Sequence, residues 1–229
     1  MILKEWNKLP QFMQCDEVWE YYEILRKKRG NLILKKIFDI IMAGFLIIVF
    51  TIPMLVIAIL IKMDSKGPVF YRQERITTYG KKFKIHKFRT MVNNADKIGS
   101  EVTAHEDSRI TKIGRKIRKY RIDEIPQLLD VLQGNMSFVG TRPEATRYVE
   151  QYSREMFATL LLPAGITSET SIKYKNEAEK LKDKKNIDII YVNEILPEKM
   201  KYNLESIRNF SFIMDIKIML ETIVMVLKK

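Results

Sequence analysis

Residues 40–61 read IIMAGFLIIVFTIPMLVIAILI, an apolar run of 22 residues without one charged side chain. At 1.5 Å of rise per residue, a helix of this length matches the hydrocarbon core of a bilayer, which is about 30 Å thick. The run starts far from the N-terminus and no small-residue cleavage pattern follows it, so it is not a secretory signal peptide. Asp39 borders the run, and we expect it to stay hydrated or to pair with Lys35 or Lys36. The run therefore predicts a membrane-embedded helix.

Basic residues on both sides of this segment bear on its topology. Six lysines and arginines lie between residues 26 and 36, and four lie between residues 62 and 75. Because such residues favour the cytoplasmic side, a straight crossing would place one cluster on the disfavoured side. A re-entrant helix that bends at Pro53 satisfies both clusters, since proline removes a backbone N–H group and clashes with the preceding turn. We favour re-entry over the alternative, a single span containing an ordinary proline.

Two amphipathic patterns flank the membrane segment. The first, within residues 1–34, predicts a short helix that either lies among lipid headgroups or packs on the domain. Its apolar positions are Val18, Tyr21, Tyr22 and Leu25. The second predicts a C-terminal helix that either lies in the membrane interface, which we favour, or caps the core. Its apolar positions are Ile213, Ile216, Leu220, Ile223 and Leu227.

The chain thus divides into a basic and aromatic segment at residues 1–34, a membrane helix at residues 35–63 and a cytosolic domain at residues 64–229. The excess of 40 Lys+Arg over 28 Asp+Glu gives a charge of +12, which points to nucleic acid, lipid headgroups or phosphorylated substrates. Cys15 is the only cysteine, so no internal disulfide forms.

The domain at residues 64–229 has the pattern of a mixed, helix-rich α/β fold. Turn signals at residues 65–68 and 79–82 predict a hairpin with strands near residues 69–72 and 83–88. His86 and His105 are isolated, and the spacing of His, Cys and Asp indicates no zinc site.

Adjacent carboxylates at Asp123 and Glu124 are the strongest chemical signal. The sequence RKYRIDEIPQLL at residues 118–129 predicts a helix that continues to Leu132, with Pro126 in its first turn and both acids at its start. Acids at helix starts are routine caps, but these lie among arginines. One such carboxylate can attack phosphorus while the other binds Mg²⁺, and the cations neutralise phosphate oxygens.

The chain from residue 35 onward resembles the bacterial sugar transferases, the small monotopic phosphoglycosyl transferases. The motifs that carry the resemblance are KIFD at residues 36–39, DSKGPVF at 64–70, QER at 73–75, FKIHKFRTM at 83–91, DEIPQL at 123–128 and MSFVGTRPE at 136–144. The resemblance implies transfer of a sugar-1-phosphate from a UDP-sugar to undecaprenyl phosphate, with release of UMP. The expected location is the cytosolic face of the bacterial inner membrane, at the start of polysaccharide assembly.

The resemblance also implies roles for individual residues. Asp123 is the expected nucleophile, and Glu124, beside it, the expected Mg²⁺ ligand. The expected phosphate and nucleotide contacts are Arg118, Arg142, Pro143 and Lys87. The implied partners are the UDP-sugar, undecaprenyl phosphate, membrane lipids and downstream glycosyltransferases, but not nucleic acid.

Three departures from the family pattern leave the sugar unassigned. Thr141 replaces the first proline of a Pro-Arg-Pro turn, Ile52 replaces a serine at the bend, and residues 168–177 diverge. Two other functions are weighed. A tethered module that binds nucleic acid or anionic lipid through residues 115–121 is disfavoured, because the acidic pair would repel a phosphate chain and Tyr120 is the only aromatic there to stack. An inactive scaffold is disfavoured because both acids are present.

Overall fold

The computed structural model describes residues 3–95, 107–174 and 187–228. His105 and the end of the divergent segment, residues 175–177, lie outside these ranges. The fold is a helix-rich mixture of helices and short strands, as the sequence predicts.

Two helices open the chain, α1 (Asp16–Lys27) and α2 (Arg29–Asp64). Helix α2 contains the whole apolar run and, by length and composition, could cross a membrane. It continues as one α-helix of 36 residues through Pro53. The predicted bend at Pro53 therefore stays a prediction.

Helix α2 packs on the remainder of the molecule near both ends of its apolar run. Ala43, fully buried, joins a cluster that contains Ile85 and Val131. Ile61, 2% exposed, joins a second cluster with Phe88 and Ile117. The outward side chains between them are exposed, among them Phe45, Ile48, Ile52, Leu55 and Ile59. One side of α2 thus rests on the domain while the other presents a continuous apolar surface.

Buried polar contacts fasten the start of α2. Asp39 accepts hydrogen bonds from Ser137 Oγ at 2.7 Å and from the Phe138 backbone N–H at 3.4 Å. Lys35 Nζ donates to Asp215 Oδ2 at 2.6 Å and to the Val139 carbonyl at 2.8 Å. Asp39 is buried, so the expectation that it stays hydrated is wrong, whereas the charge of Lys35 does act on it, as the alternative expected. Its hydrogen-bond partners come from a distant strand that covers this face of the helix.

Two pairs of strands form the sheet structure. Strands β1 (Phe70–Ile76) and β2 (Lys82–Phe88) are antiparallel and join through a turn at Thr78–Gly80, which confirms the predicted hairpin. Strands β3 (Met136–Val139) and β4 (Ala164–Thr167) are parallel. The second pair was not predicted.

The other helices are short except at the C-terminus. The α-helices are α3 (Lys112–Lys119), α4 (Leu128–Leu132), α5 (Thr146–Val149), α6 (Glu169–Lys173), Ile187–Ile190, Leu196–Arg208 and Phe212–Leu227. A π-helical turn spans Tyr191–Ile195, and 3₁₀ turns span Trp6–Lys8, Gln11–Met13, Ile122–Gln127 and Glu155–Leu161.

The helix predicted to begin at the two carboxylates is wrong in its local form. Asp123 and Glu124 lie in the 3₁₀ turn Ile122–Gln127, and α4 follows it with only five residues. Pro126 lies inside the 3₁₀ turn and cannot donate a backbone hydrogen bond there. Leu132, expected on the buried face, is 45% exposed.

Both amphipathic helices form, and they face different surroundings. The apolar side of α1 is buried against the domain, so packing on the domain is the correct alternative there. In the C-terminal helix Phe212–Leu227, Asp215 and Ile218 face inward, whereas Ile213 and Leu227 are each 80% exposed. The predicted apolar face of this helix therefore does not cap the core.

Candidate active site

Local backbone geometry presents the two carboxylates side by side. Arg121, just before them, has φ of 54°, in the left-handed region, and this residue ends the basic helix α3 sharply before the 3₁₀ turn begins. Strand β2 packs against the same turn. The acids therefore sit where a basic helix, a strand and a tight turn meet.

Glu124 is buried and held by three cations. Its Oε1 accepts from Lys87 Nζ at 3.0 Å and from Arg142 at 3.2 Å, and its Oε2 lies 3.9 Å from Arg121. Burial alone would raise the pKa of Glu124, but Lys87, Arg142 and Arg121 outweigh it and hold the pKa well below the usual range. Glu124 is therefore a fixed carboxylate.

Asp123 differs from Glu124 in its burial, its ion pairing and the direction of its pKa shift. It is half-buried, and it has no ion-pair partner within the described ranges. Burial raises the pKa of Asp123, and the charge of Glu124 raises it further, while Lys87, Arg118 and Arg142 oppose this. Asp123 thus keeps its oxygens available amid positive charge.

The loop that carries Arg142 is positioned by close backbone packing. Gly140 N–H donates to the Thr167 carbonyl at 3.0 Å, and Gly165 N–H donates to the Thr141 carbonyl at 2.9 Å. A Cβ atom on Gly165 would lie 2.2 Å from the Gly140 nitrogen, so only glycine allows this approach. Pro143 is buried directly beyond the arginine.

Beyond Pro143, the loop is anchored at Glu144. The Ile76 N–H donates to the Glu144 backbone carbonyl at 3.0 Å. The Glu144 carboxylate accepts from Tyr191 Oη at 2.6 Å, and Lys199 Nζ donates to the same hydroxyl at 2.9 Å. All three side chains are buried, so the arginine-bearing loop is tied to β1 and to the π-helical turn.

Lys87 owes its position to its neighbour on β2. Asp130 is fully buried; its Oδ2 accepts from the His86 backbone N–H at 2.8 Å and its Oδ1 lies 2.7 Å from His86 Nδ1. These contacts join β2 to α4 beside Glu124. His86 is thus a packed residue, and its partner Asp130 was not predicted from the sequence. The available signal was an aspartate inside the apolar run LLDVL at residues 128–132.

The structure brings together Asp123, Glu124, Lys87 and Arg142. Arg118 acts on Asp123 electrostatically, without a hydrogen bond between them. Sequence reasoning did not assign Arg121, which faces Glu124 as described above.

The carboxylates of the site offer few ligands for a divalent metal. Within the described residues, no group of three or more His, Cys, Asp or Glu side chains could hold a metal ion. Mg²⁺, however, often takes only one or two carboxylates and completes its shell with waters and substrate phosphates. Asp123 and Glu124 therefore fit Mg²⁺ together with a phosphate-bearing substrate, and not as a cage of protein ligands.

Comparison with known proteins gives consistent matches. The family model described as bacterial sugar transferase matches residues 30–229. A UDP-N-acetylgalactosamine-undecaprenyl-phosphate N-acetylgalactosaminephosphotransferase of Aeromonas hydrophila is 35% identical over 194 residues, 83% of this chain and 43% of that protein. A UDP-glucose:undecaprenyl-phosphate glucose-1-phosphate transferase of Escherichia coli (strain K12) is 34% identical over 198 residues, 84% of this chain and 40% of that protein.

The chain therefore spans about two-fifths of the length of these two relatives. A sugar transferase named EpsL from Bacillus subtilis (strain 168) is closer in size. It is 35% identical over 192 residues, which cover 84% of this chain and 86% of that protein.

Proposed function

The chain belongs to the bacterial sugar transferase family, and from this premise we propose that it transfers a sugar-1-phosphate from a UDP-sugar to undecaprenyl phosphate. The names of the Aeromonas hydrophila and Escherichia coli relatives state this activity, each with a different sugar. The proposed product begins the assembly of a polysaccharide or glycoconjugate. The sugar stays unassigned.

The observation that carries the proposal is the contrast between the two adjacent acids. Glu124 is enclosed by Lys87, Arg142 and Arg121, whereas Asp123 has no ion pair among the residues described. Glu124 Oε1 already accepts hydrogen bonds from Lys87 and Arg142, so this carboxylate is the poorer nucleophile, while its Oε2, 3.9 Å from Arg121, can still ligate a metal. We assign nucleophilic attack to Asp123 and fixed negative charge to Glu124.

The proposed reaction has two balanced steps. An oxygen of Asp123 attacks the sugar-bearing phosphorus, the P–O bond to the other phosphate breaks, and UMP leaves with the bridging oxygen. A phosphate oxygen of undecaprenyl phosphate then attacks the same phosphorus and displaces the Asp123 carboxylate. Each step exchanges one P–O bond for another, so no oxidant or net proton transfer is required.

The surrounding cations neutralise charge during this exchange. Arg142 is 41% exposed in its side chain and can reach a substrate phosphate with its planar guanidinium. We place Arg118 in the same role and Pro143 as the rigid support of the loop. Mg²⁺, held by Glu124 and Asp123 with substrate phosphates, would supply further charge neutralisation.

The packing of α2 argues against a straight crossing of the bilayer. Ala43 and Ile61 are 18 positions apart, which is about 27 Å in a straight helix and close to the thickness of the hydrocarbon core. A helix that crosses a bilayer carries its ends to opposite faces, and one domain cannot bury both. Because both residues are buried on the same domain, we propose a monotopic protein on the cytosolic face of the inner membrane.

The exposed apolar surfaces support the same placement. The outward side of α2 and the apolar side of the C-terminal helix are exposed, and amphipathic helices of this kind bind the interface of a bilayer. We retain residues 1–34, 35–63 and 64–229 as the proposed segments.

Release of UMP tests the proposed activity directly. The purified protein with Mg²⁺ is incubated with a panel of UDP-sugars, with and without undecaprenyl phosphate. We expect sustained UMP release with one donor and only when the lipid is present, and we expect Asp123→Asn to abolish it. Asp16→Asn, on the exposed first turn of α1, is the matched control. Turnover by Asp123→Asn would remove Asp123 as the nucleophile.

A further inference from the structure

A cavity of about 830 Å³ opens at the base of the membrane helix, away from the site described above. Its walls come from residues 4–10, from the start of α2, from the β1–β2 turn and from the end of α4. The apolar part of the wall includes Leu9, Leu32, Ile40, Val131 and Met136. This volume falls within the range of about 300–1,000 Å³ typical of small-molecule sites.

The polar part of the cavity wall is strongly basic. Five lysines line it, and Asp39 is the only acid among the lining residues. Lys35 and Asp39 are already committed to the buried contacts that fasten α2. The remaining lysines are Lys4, Lys8, Lys36 and Lys81, all exposed. Lys8 pairs with Glu5 at 2.8 Å, and Lys81 donates to the Asn135 side chain at 3.1 Å. The cavity therefore combines an apolar wall with several exposed lysines.

The wall contributed by the N-terminal segment is firmly held. The Lys4 backbone N–H donates to Tyr79 Oη at 3.0 Å, and Tyr22 Oη donates to the Lys4 carbonyl at 3.0 Å. Lys4 Nζ also lies 4.8 Å from the centre of the Tyr79 ring. Leu9 and Met13 are buried in the cluster that also contains Tyr21 and Leu25 of α1. This part of the cavity precedes the family match, which begins at residue 30.

The position of the cavity indicates which class of ligand it can bind. Ile40, in its wall, is the first residue of the apolar run, and the adjacent Ile37 and Ile41 are 50% and 67% exposed. The lysines thus lie beside the start of the exposed apolar surface of α2. At the proposed membrane position, this is the level of the phosphate layer of the bilayer.

We infer that this cavity binds one anionic glycerophospholipid of the bilayer, with its phosphate on the lysines and its acyl chains against the apolar surface of α2. The inference rests on the proposed membrane location. Free phosphate would leave the apolar wall uncovered. The lipid acceptor must meet the phosphosugar at Asp123, and neither Asp123 nor any of the cations around it lines this cavity. The site is therefore distinct from the proposed acceptor site, and it would tie the N-terminal segment to the membrane.

Direct titration tests this inference. Short-chain phosphatidylglycerol is added to the full chain in an uncharged detergent, and bound lipid is counted by native mass spectrometry. We expect one tightly bound lipid, with phosphatidylcholine bound much more weakly. The variant Lys36→Gln/Lys81→Gln should bind roughly 25-fold more weakly, because a lysine near a lipid surface contributes about 1 kcal/mol, or about fivefold.

Two matched variants separate charge from structure. Lys36→Arg/Lys81→Arg keeps the charge and should retain binding. Lys82→Gln/Lys201→Gln removes two exposed lysines that do not line the cavity, and it should bind like the parent chain. Equal loss of binding in this control, or no loss in Lys36→Gln/Lys81→Gln, would overturn the inference.

Two further ligands identify the source of the phosphate. Inorganic phosphate should not displace the bound phosphatidylglycerol. Displacement by undecaprenyl phosphate at equal concentration would assign the cavity to the acceptor and overturn the inference. UMP release from the UDP-sugar, measured on the same preparations, keeps the two proposals separate. If the protein releases UMP but does not bind phosphatidylglycerol, only the proposed lipid site is contradicted. If it binds phosphatidylglycerol but releases no UMP, only the proposed transferase activity is contradicted.

Discussion

Replacing Lys35 by methionine should destabilise the protein strongly, because it leaves the buried carboxylate of Asp215 without its ion-pair partner. Lys35 and Asp215 are 6% and 10% exposed in their side chains and lie 2.6 Å apart. Removing one partner of a buried ion pair costs about 3–5 kcal/mol, since the other charge is left without compensation. For a chain of this size each kcal/mol shifts Tm by about 2–4 °C, so we expect Tm to fall by roughly 6–20 °C.

Thermal unfolding in a mild detergent, followed by circular dichroism, measures this effect. Lys217→Met is the control, because Lys217 is 65% exposed and its partner Glu221 lies 3.8 Å away at the surface; exposed pairs contribute little. The double variant Lys35→Met/Asp215→Leu should recover part of the loss, since it removes both charges of the pair but leaves the Val139 carbonyl without its donor. Loss of an exposed ion pair should change Tm by no more than roughly 2 °C. If the Tm of Lys35→Met lies within that range of the Tm of Lys217→Met, this reasoning is refuted.

Two other predictions concern the active site. Burial raises the pKa of Asp123 and Lys87 opposes that rise, so Lys87→Gln should move the acidic limb of UMP release to higher pH, because the attacking carboxylate must be ionised; a pH–rate profile with an unmoved limb would exclude this role. A methyl group on Gly165 would lie 2.2 Å from the Gly140 nitrogen, so Gly165→Ala should displace the arginine-bearing loop and lower kcat/KM at least about tenfold, since small displacements of positioning groups have large effects on rate. Gly30→Ala, where a methyl meets nothing within 4 Å, should keep the parental kcat/KM, and equal values for both variants would contradict the packing argument.

The parts of the fold that the sequence predicts are those with a local signature. The apolar run of α2 and the alternation on β2 follow from the periods of a helix and a strand. The proximity of Asp123 to its cations was expected from a short basic run and from motif resemblance. Each of these signals is contained within a few turns of chain.

The features that the sequence did not predict depend on distant or competing contacts. Lys35 and Asp215 are 180 positions apart, and no local pattern pairs them. His86 and Asp130 meet only because β2 packs on α4. The carboxylate turn became 3₁₀, with Pro126 inside it, although the apolar spacing beyond it favoured an α-helix. Tertiary contacts and a proline thus outweighed helical periodicity.

The most direct test of the account is the state of Asp123 when donor is present and acceptor is absent. The UDP-sugar that supports turnover is added to the enzyme with Mg²⁺, the reaction is quenched, and intact mass and peptide mapping are recorded. We expect one UMP released per enzyme and a mass increase of one sugar phosphate, located on Asp123. UMP release only when undecaprenyl phosphate is present, or an adduct on any other residue, would contradict it.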